Sequence, residues 1–97
     1  MTTDVFKNSA SFIAKRNISQ RVIRVIATFD QSARHLSVIY VLNGEPSEND
    51  REDCELTGSE LIAEFPEILT AETSCISVAD YSVEQHAGEG VVFHRDN

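Results

Sequence analysis

Residues 20–42, QRVIRVIATFDQSARHLSVIYVL, contain two runs of alternating apolar side chains, and these runs decide the fold. The apolar positions are odd in residues 20–30 and even in residues 34–42: Ile23, Val25, Ala27 and Phe29, then Leu36, Val38, Tyr40 and Leu42. Successive strand residues point to opposite faces, so each run predicts a β-strand with one apolar face. Antiparallel pairing of Phe29 with Leu36 and of Ile23 with Leu42 puts both apolar sets on one face of a hairpin.

The segments before and after this hairpin are both predicted to be helices. Before it, apolar side chains recur at i, i+4 and i+7, which predicts a first helix with a buried face formed by Phe6, Ala10 and Ile13. After it, residues 57–60 have the S/T-x-x-E spacing of a capping box, so we expect a second helix to begin near Thr57. Pro66 lacks a backbone donor and should end that helix near Phe65.

The C-terminal residues provide the last two predicted elements. Residues 73–83 and 91–95 predict two more strands around a turn at residues 86–90. The order α-β-β-α-β-β predicts an α+β fold, with a mainly antiparallel sheet of about four strands and two helices packed on one face. A length of 97 residues is that of one domain, so we expect residues 1–97 to form a single one.

Charge is distributed unevenly along the chain, whose net charge is −8. Residues 1–35 carry six basic and two acidic side chains, a net of +4. Residues 36–97 carry two basic and fourteen acidic side chains, a net of −12. Such an asymmetry suggests a partner of opposite charge to at least one half.

The acidic side chains are densest in residues 43–55, which we predict to be a polar loop between the hairpin and the second helix. This acidic cluster comprises Glu45, Glu48, Asp50, Glu52, Asp53 and Glu55. Such a cluster can imitate the phosphates of a nucleic acid and occupy the basic cleft of an enzyme that binds one. The alternative is a solvated loop without a partner. A calcium loop is disfavoured, because Asp53 and Ser59 fall where an EF-hand needs Gly and Glu.

Residues capable of catalysis or metal binding follow no recognised pattern. Cys54 and Cys75 match no zinc or redox spacing, and we expect reduced structural thiols, with a disulfide as the alternative. His35, His86 and His94 are scattered along the chain. No nucleophile elbow, phosphate-binding loop or dinucleotide-binding glycine pattern is present. The sequence therefore predicts a protein that is not an enzyme and holds no metal or cofactor.

Membranes and nucleic acids are disfavoured as partners. The longest nearly apolar run, residues 38–42, is far shorter than the roughly 20 residues that span a bilayer. The first residues lack the pattern of a targeting segment, so we expect a cytoplasmic protein. Arg16, Arg21 and Arg24 could form a basic surface, but the acidic remainder would repel phosphates. We expect these arginines to be partnered internally.

In length, acidity, α+β order and the carboxylate cluster at residues 45–55, the chain resembles the immunity proteins of bacterial competition toxins, including those of contact-dependent growth inhibition and of nuclease colicins. The resemblance implies a protein that binds a cognate toxin domain, most often a nuclease, and blocks it. The acidic cluster would then dock in a basic cleft, with Tyr40, Tyr81 or exposed aliphatic side chains as anchors. We expect it to act as a monomer.

Two other classes remain open. A secretion chaperone is also small, acidic and α/β, but it would be dimeric and would present an apolar groove to an effector protein. A small enzyme would need a convergent pocket of titratable groups. An obligate dimer would favour the chaperone, and a monomer favours the immunity protein.

Overall fold

A computed structural model describes residues 1–81 and 90–95 of the chain. The elements, in chain order, are α1 (Thr3–Arg16), β1 (Val22–Asp30), β2 (His35–Leu42), α2 (Glu48–Glu64), β3 (Thr70–Ser77), a 3-10 turn (Val78–Asp80) and β4 (Val91–His94). This succession matches the predicted order of two helices and four strands. None of the helices among these residues is both long enough and apolar enough to cross a membrane.

The central hairpin of β1 and β2 is antiparallel, and Phe29 pairs with Leu36 as predicted. The predicted pair of Ile23 with Leu42 is wrong, because Val22 takes that place and the register shifts between Val22 and Arg24. The β-bulge inserts one extra residue into β1, which shifts by one position the residue that points to the core before the bulge. Val22 therefore joins the core with only 1% of its surface exposed, and Ile23 is left half-buried.

The sheet has the order β3-β2-β1-β4 and is mixed, which corrects the prediction of a mainly antiparallel sheet. β1 pairs antiparallel with both β2 and β4, whereas β3 runs parallel to β2. The reason is α2, whose 17 residues run back along the sheet over a length of about 25 Å. The chain therefore re-enters the sheet at the end where β2 began, and Thr70 pairs with His35.

The third strand differs from its predicted bounds. It begins at Thr70 and ends at Ser77, and the 3-10 turn follows within the range predicted as strand. The remainder of that predicted strand, residues 82–83, and most of the predicted turn at 86–90 lie outside the described residues.

The core lies between the sheet and the two helices. The three residues predicted to form the buried face of α1 are all in it: Phe6, Ala10 and Ile13. The hairpin contributes most of its predicted apolar face to the core: Val25, Ala27, Leu36, Val38, Tyr40 and Leu42. Phe29, also predicted for this face, is half-buried against the core. From α2 and the residues after it come Cys54, Leu61, Phe65 and Ile68. The other side of α2 is therefore free to face outward.

Candidate functional site

The second helix begins ten residues earlier than predicted, and this change redefines the acidic cluster. Ser47 is the N-cap, and its hydroxyl accepts a hydrogen bond from the Asp50 backbone N–H at 3.2 Å. The Asp50 carboxylate accepts in return from the Ser47 N–H at 2.8 Å, which completes a capping box. Residues predicted as a polar loop are therefore helical from Glu48 onward. Thr57, the predicted cap, is instead a buried residue inside the helix.

Asp50 is a buried member of the acidic cluster, with 3% of its surface exposed. Its carboxylate forms an ion pair with Arg21, whose guanidinium also donates to the Glu45 carbonyl oxygen. Burial opposes ionisation of Asp50, but hydrogen bonds from Ser47 and the charge of Arg21 outweigh it and hold the pKa below its usual range. The carboxylate of Asp50 thus stabilises the start of α2 and does not face solvent.

The other carboxylates of the cluster are accessible to different degrees. Glu48, Glu52 and Glu55 are exposed and follow the spacing i, i+4 and i+7, which places them on one side of the helix. Glu45 is exposed in the segment before the helix. Asp53 is half-buried, and the pKa of its carboxyl is raised by burial and by the neighbouring carboxylates of Asp50 and Glu52. Three carboxylates of the cluster therefore lie on an exposed helix face, Glu45 is exposed before the helix, and Asp50 and Asp53 are buried or half-buried.

Apolar side chains continue the same exposed face toward the end of α2. Leu56 is 47% exposed and Ile62 is 41% exposed. We call the following set the outer face of α2: Glu48, Glu52, Glu55, Leu56, Ser59 and Ile62. Sequence reasoning missed its apolar half, because it placed the start of the helix near Thr57 and singled out neither Leu56 nor Ile62. Leu56 lies on the side of the helix opposite the buried Cys54, and Ile62 lies at the edge of that side.

Arg16, Arg21 and Arg24 are bound within the molecule, as predicted. Arg16 forms an ion pair with Glu60 on the inner side of α2 and lies over the Phe12 ring, with its guanidinium carbon 5.0 Å from the centroid. Arg21 is held by Asp50, and Arg24 donates to the Tyr81 hydroxyl at 3.1 Å. Two of these arginines therefore pair with carboxylates of α2, and two lie over aromatic rings.

The two tyrosines predicted as anchors, Tyr40 and Tyr81, differ in how deeply they are buried. Tyr40 is fully buried, which overturns its assignment as an anchor. Its hydroxyl donates to the Asn17 carbonyl oxygen at 3.1 Å and is 2.5 Å from the Thr57 hydroxyl oxygen. Burial raises the pKa of Tyr40. Tyr81 is half-buried, with the Arg24 guanidinium carbon 5.6 Å from its ring centroid.

The described histidines and carboxylates do not converge on one point. Across residues 1–81 and 90–95, no group of three His, Cys, Asp or Glu side chains is arranged to hold a metal ion. His35 lies 2.7 Å from the Thr70 hydroxyl through Nδ1, and His94 accepts from Arg24 Nε at 3.2 Å. His86 lies outside the described residues.

The fold and the outer face of α2 define a small α+β protein whose exposed helix presents carboxylates beside apolar side chains, which is the character of a protein-binding module. The family model described as MafI2 immunity protein matches residues 15–97, and the chain belongs to the MafI2 immunity protein family. The predicted resemblance to bacterial toxin-immunity proteins is thereby confirmed.

A solved structure, the copper form of the MamM CTD, has a similar fold. It has a TM-score of 0.52 and 19% sequence identity, and the match covers 82% of this chain and 92% of that one. At this identity the likeness concerns the fold alone. No curated protein matches the chain.

Proposed function

We propose that this protein neutralises a cognate nuclease toxin by docking the outer face of α2 on the basic, substrate-binding surface of the toxin. The observation that carries the proposal is the row formed by Glu48, Glu52 and Glu55 on one exposed helix face. Within the part of the chain that the structure describes, no cation forms an ion pair with any of the three. Membership in an immunity protein family supplies the class of partner.

Repulsion within this row supports a cationic partner. Like charges three and four residues apart on a helix destabilise it by about 0.2–0.5 kcal/mol a pair. The raised pKa of Asp53 reflects the same crowding, after the effect of burial. A basic surface would relieve the repulsion and would accelerate association through long-range attraction. Nucleases carry such surfaces because their substrate is a polyanion.

Leu56 and Ile62 add an apolar contact area to the charged part of the proposed interface. Both are more than two-fifths exposed and continue the face that carries the three glutamates. Burial of exposed aliphatic side chains slows dissociation, whereas charged groups at the rim mainly set the association rate. Asp50 is excluded from the contact set because its carboxylate is buried against Arg21. Glu45 and Asp53 lie beside the face and would contribute to its field.

The proposal includes the setting in which the protein works. It acts by binding and not by catalysis, as a monomer in the cytoplasm, where the toxin would reach its nucleic-acid substrate. Neither a membrane nor a nucleic acid is its partner. A protein that mimics phosphates would itself be repelled by them.

The direct test is association with a purified candidate nuclease toxin domain, measured by stopped flow at several salt concentrations. Glu52→Lys should slow association roughly fivefold at low salt, and the difference should fade as salt is added. Glu72→Lys is the matched control, because Glu72 is exposed and pairs with Ser37 on the sheet face away from the helices. Equal effects of the two substitutions would show that the binding surface lies elsewhere. Absence of any complex, or of protection from nuclease activity, would overturn the proposed function.

A further inference from the structure

Cys54 and Cys75 are adjacent in space although 20 residues separate them in the chain. The Cys54 sulfur lies 3.5 Å from the carbonyl oxygen of Ser74, the residue before Cys75. The Cys75 sulfur lies 3.4 Å from the carbonyl oxygen of Asp50, one helical turn before Cys54. Each thiol is therefore directed at the backbone beside the other, across the contact between α2 and β3. Both cysteines are free thiols.

The two thiols have different surroundings. Cys54 is buried, with 1% of its surface exposed, whereas Cys75 is half-buried. A surface cavity of about 240 Å³ reaches both, lined by Arg51, Cys54, Glu55, Thr73, Ser74 and Cys75. This volume is several times the roughly 30 Å³ of a water molecule, so a small oxidant can enter.

The two neighbouring thiols are chemically unequal. The interaction with the Cys54 thiol lowers the pKa of Cys75, against the opposing effect of partial burial. The interaction with Cys75, together with burial, raises the pKa of Cys54. A thiolate that is accessible and lies beside a second thiol is the usual arrangement of a cysteine that is oxidised reversibly.

We propose that Cys54 and Cys75 form a peroxide-sensitive pair that closes to an intramolecular disulfide between α2 and β3. The Cys75 thiolate attacks one oxygen of hydrogen peroxide, so that an S–O bond forms and the O–O bond breaks, and the released hydroxide takes a proton to become water. The Cys54 sulfur then attacks the Cys75 sulfenic acid. The S–S bond forms, the S–O bond breaks, and the hydroxyl leaves as a second water with the Cys54 proton. Two thiols are oxidised and one peroxide is reduced.

This modification would be regulatory in a reducing compartment, where disulfides are transient and thiols restore the reduced form. It would fasten the helix that carries Glu52, Glu55 and Leu56 to the edge strand of the sheet. The inference does not depend on the proposed toxin contact, because it concerns chemistry within the isolated chain.

The test is peroxide treatment of the reduced full chain, followed by alkylation of remaining thiols and mass spectrometry. The expected product is a monomer that has lost two hydrogens and takes up no alkylating agent. Trypsin leaves both cysteines in one peptide, because no Lys or Arg lies between Arg51 and Arg95. Cleavage after glutamate separates them, so the disulfide should appear as two linked peptides that a reductant releases.

Two variants distinguish the roles of the thiols. Cys75→Ser should abolish the reaction and leave Cys54 unoxidised at the same peroxide dose. Cys54→Ser should leave Cys75 as a sulfenic acid that a 1,3-dione probe can trap. Cys54 is buried, so its variant can fail to fold. The mass measurement on the wild-type chain therefore tests disulfide formation without relying on that variant. Oxidation of Cys75 to sulfinic acid while Cys54 remains alkylatable would overturn the proposal, as would a linkage formed only between chains.

Discussion

Arg21 and Asp50 form an ion pair that joins the entry of β1 to the first turn of α2. The same Asp50 carboxylate accepts from the backbone N–H of Ser47, and the same guanidinium donates to the Glu45 carbonyl oxygen. One pair of side chains thus fixes where the acidic helix begins and how it lies against the sheet.

Loss of the Asp50 carboxylate should therefore destabilise the protein. Asp50→Ala removes both the capping acceptor and the partner of Arg21, and we expect the free energy of unfolding to fall by about 2 kcal/mol. Urea denaturation followed by circular dichroism measures this change. Glu48→Ala in the same turn is the control, because Glu48 is exposed, and it should change stability by less than about 0.5 kcal/mol. Equal values for the two variants would contradict the role assigned to Asp50.

The same pair predicts how stability depends on acid. Because the folded-state pKa of Asp50 lies below its ordinary value of about 4, ionised Asp50 stabilises the fold fully above that pH. This contribution is lost as the pH falls through the lower, folded-state pKa. Urea midpoints measured from pH 6 to pH 2 should fall less steeply for Asp50→Asn than for the wild type. Parallel curves would show that Asp50 does not contribute to the acid sensitivity.

The buried hydroxyls of Tyr40 and Thr57 should stabilise the contact between β2 and α2. Tyr40→Phe keeps the ring in the core but removes the hydroxyl that bonds Asn17 and Thr57, and we expect the free energy of unfolding to fall by about 1–2 kcal/mol. A double-mutant cycle with Thr57→Val should give a coupling energy of about 1 kcal/mol. A coupling near zero would mean that the two hydroxyls act independently. Tyr81→Phe provides a comparison at a half-buried tyrosine.

Gly90 should not tolerate a side chain. Its φ of +74° favours glycine, and an added Cβ would approach Thr28 Cγ2 to 2.5 Å and the Ala27 carbonyl oxygen to 3.2 Å. Gly90→Ala should therefore destabilise the protein by about 2 kcal/mol or more. Adding Thr28→Ser removes the methyl group that clashes, so the double variant should recover part of the lost melting temperature. A melting temperature unchanged by Gly90→Ala would refute this assignment.

On the outer face of α2, the apolar residues should control how long the toxin stays bound. Leu56→Ala and Ile62→Ala should each raise Kd roughly fivefold, mainly through faster dissociation, if each contributes about 1 kcal/mol. Surface plasmon resonance at high salt isolates this effect from charge. Leu69→Ala is the matched control, because Leu69 is 65% exposed and lies after α2, beside Arg34. A control variant that weakens binding equally would point to a general effect on the fold.

The hairpin of β1 and β2 shows how much of the fold the local sequence pattern could predict. Period-2 alternation in residues 22–42 predicted both strands and most of their register, because the apolar face must be buried. It could not locate the bulge beside Ile23, since an extra residue leaves the composition of each strand unchanged.

The sequence by itself determined the elements, their order, the apolar faces of α1 and the hairpin, and the concentration of carboxylates after residue 43, because these depend on residue type and spacing. Tertiary structure alone decided which of two capping patterns began α2. The Ser47 pattern prevailed because Arg21 pairs with Asp50, whereas Thr57 is drawn to the Tyr40 hydroxyl. That choice made β3 parallel to β2, buried one carboxylate of the cluster and aligned three others on a helix face. Contacts between residues far apart in the chain determine such outcomes, and local propensity does not encode them.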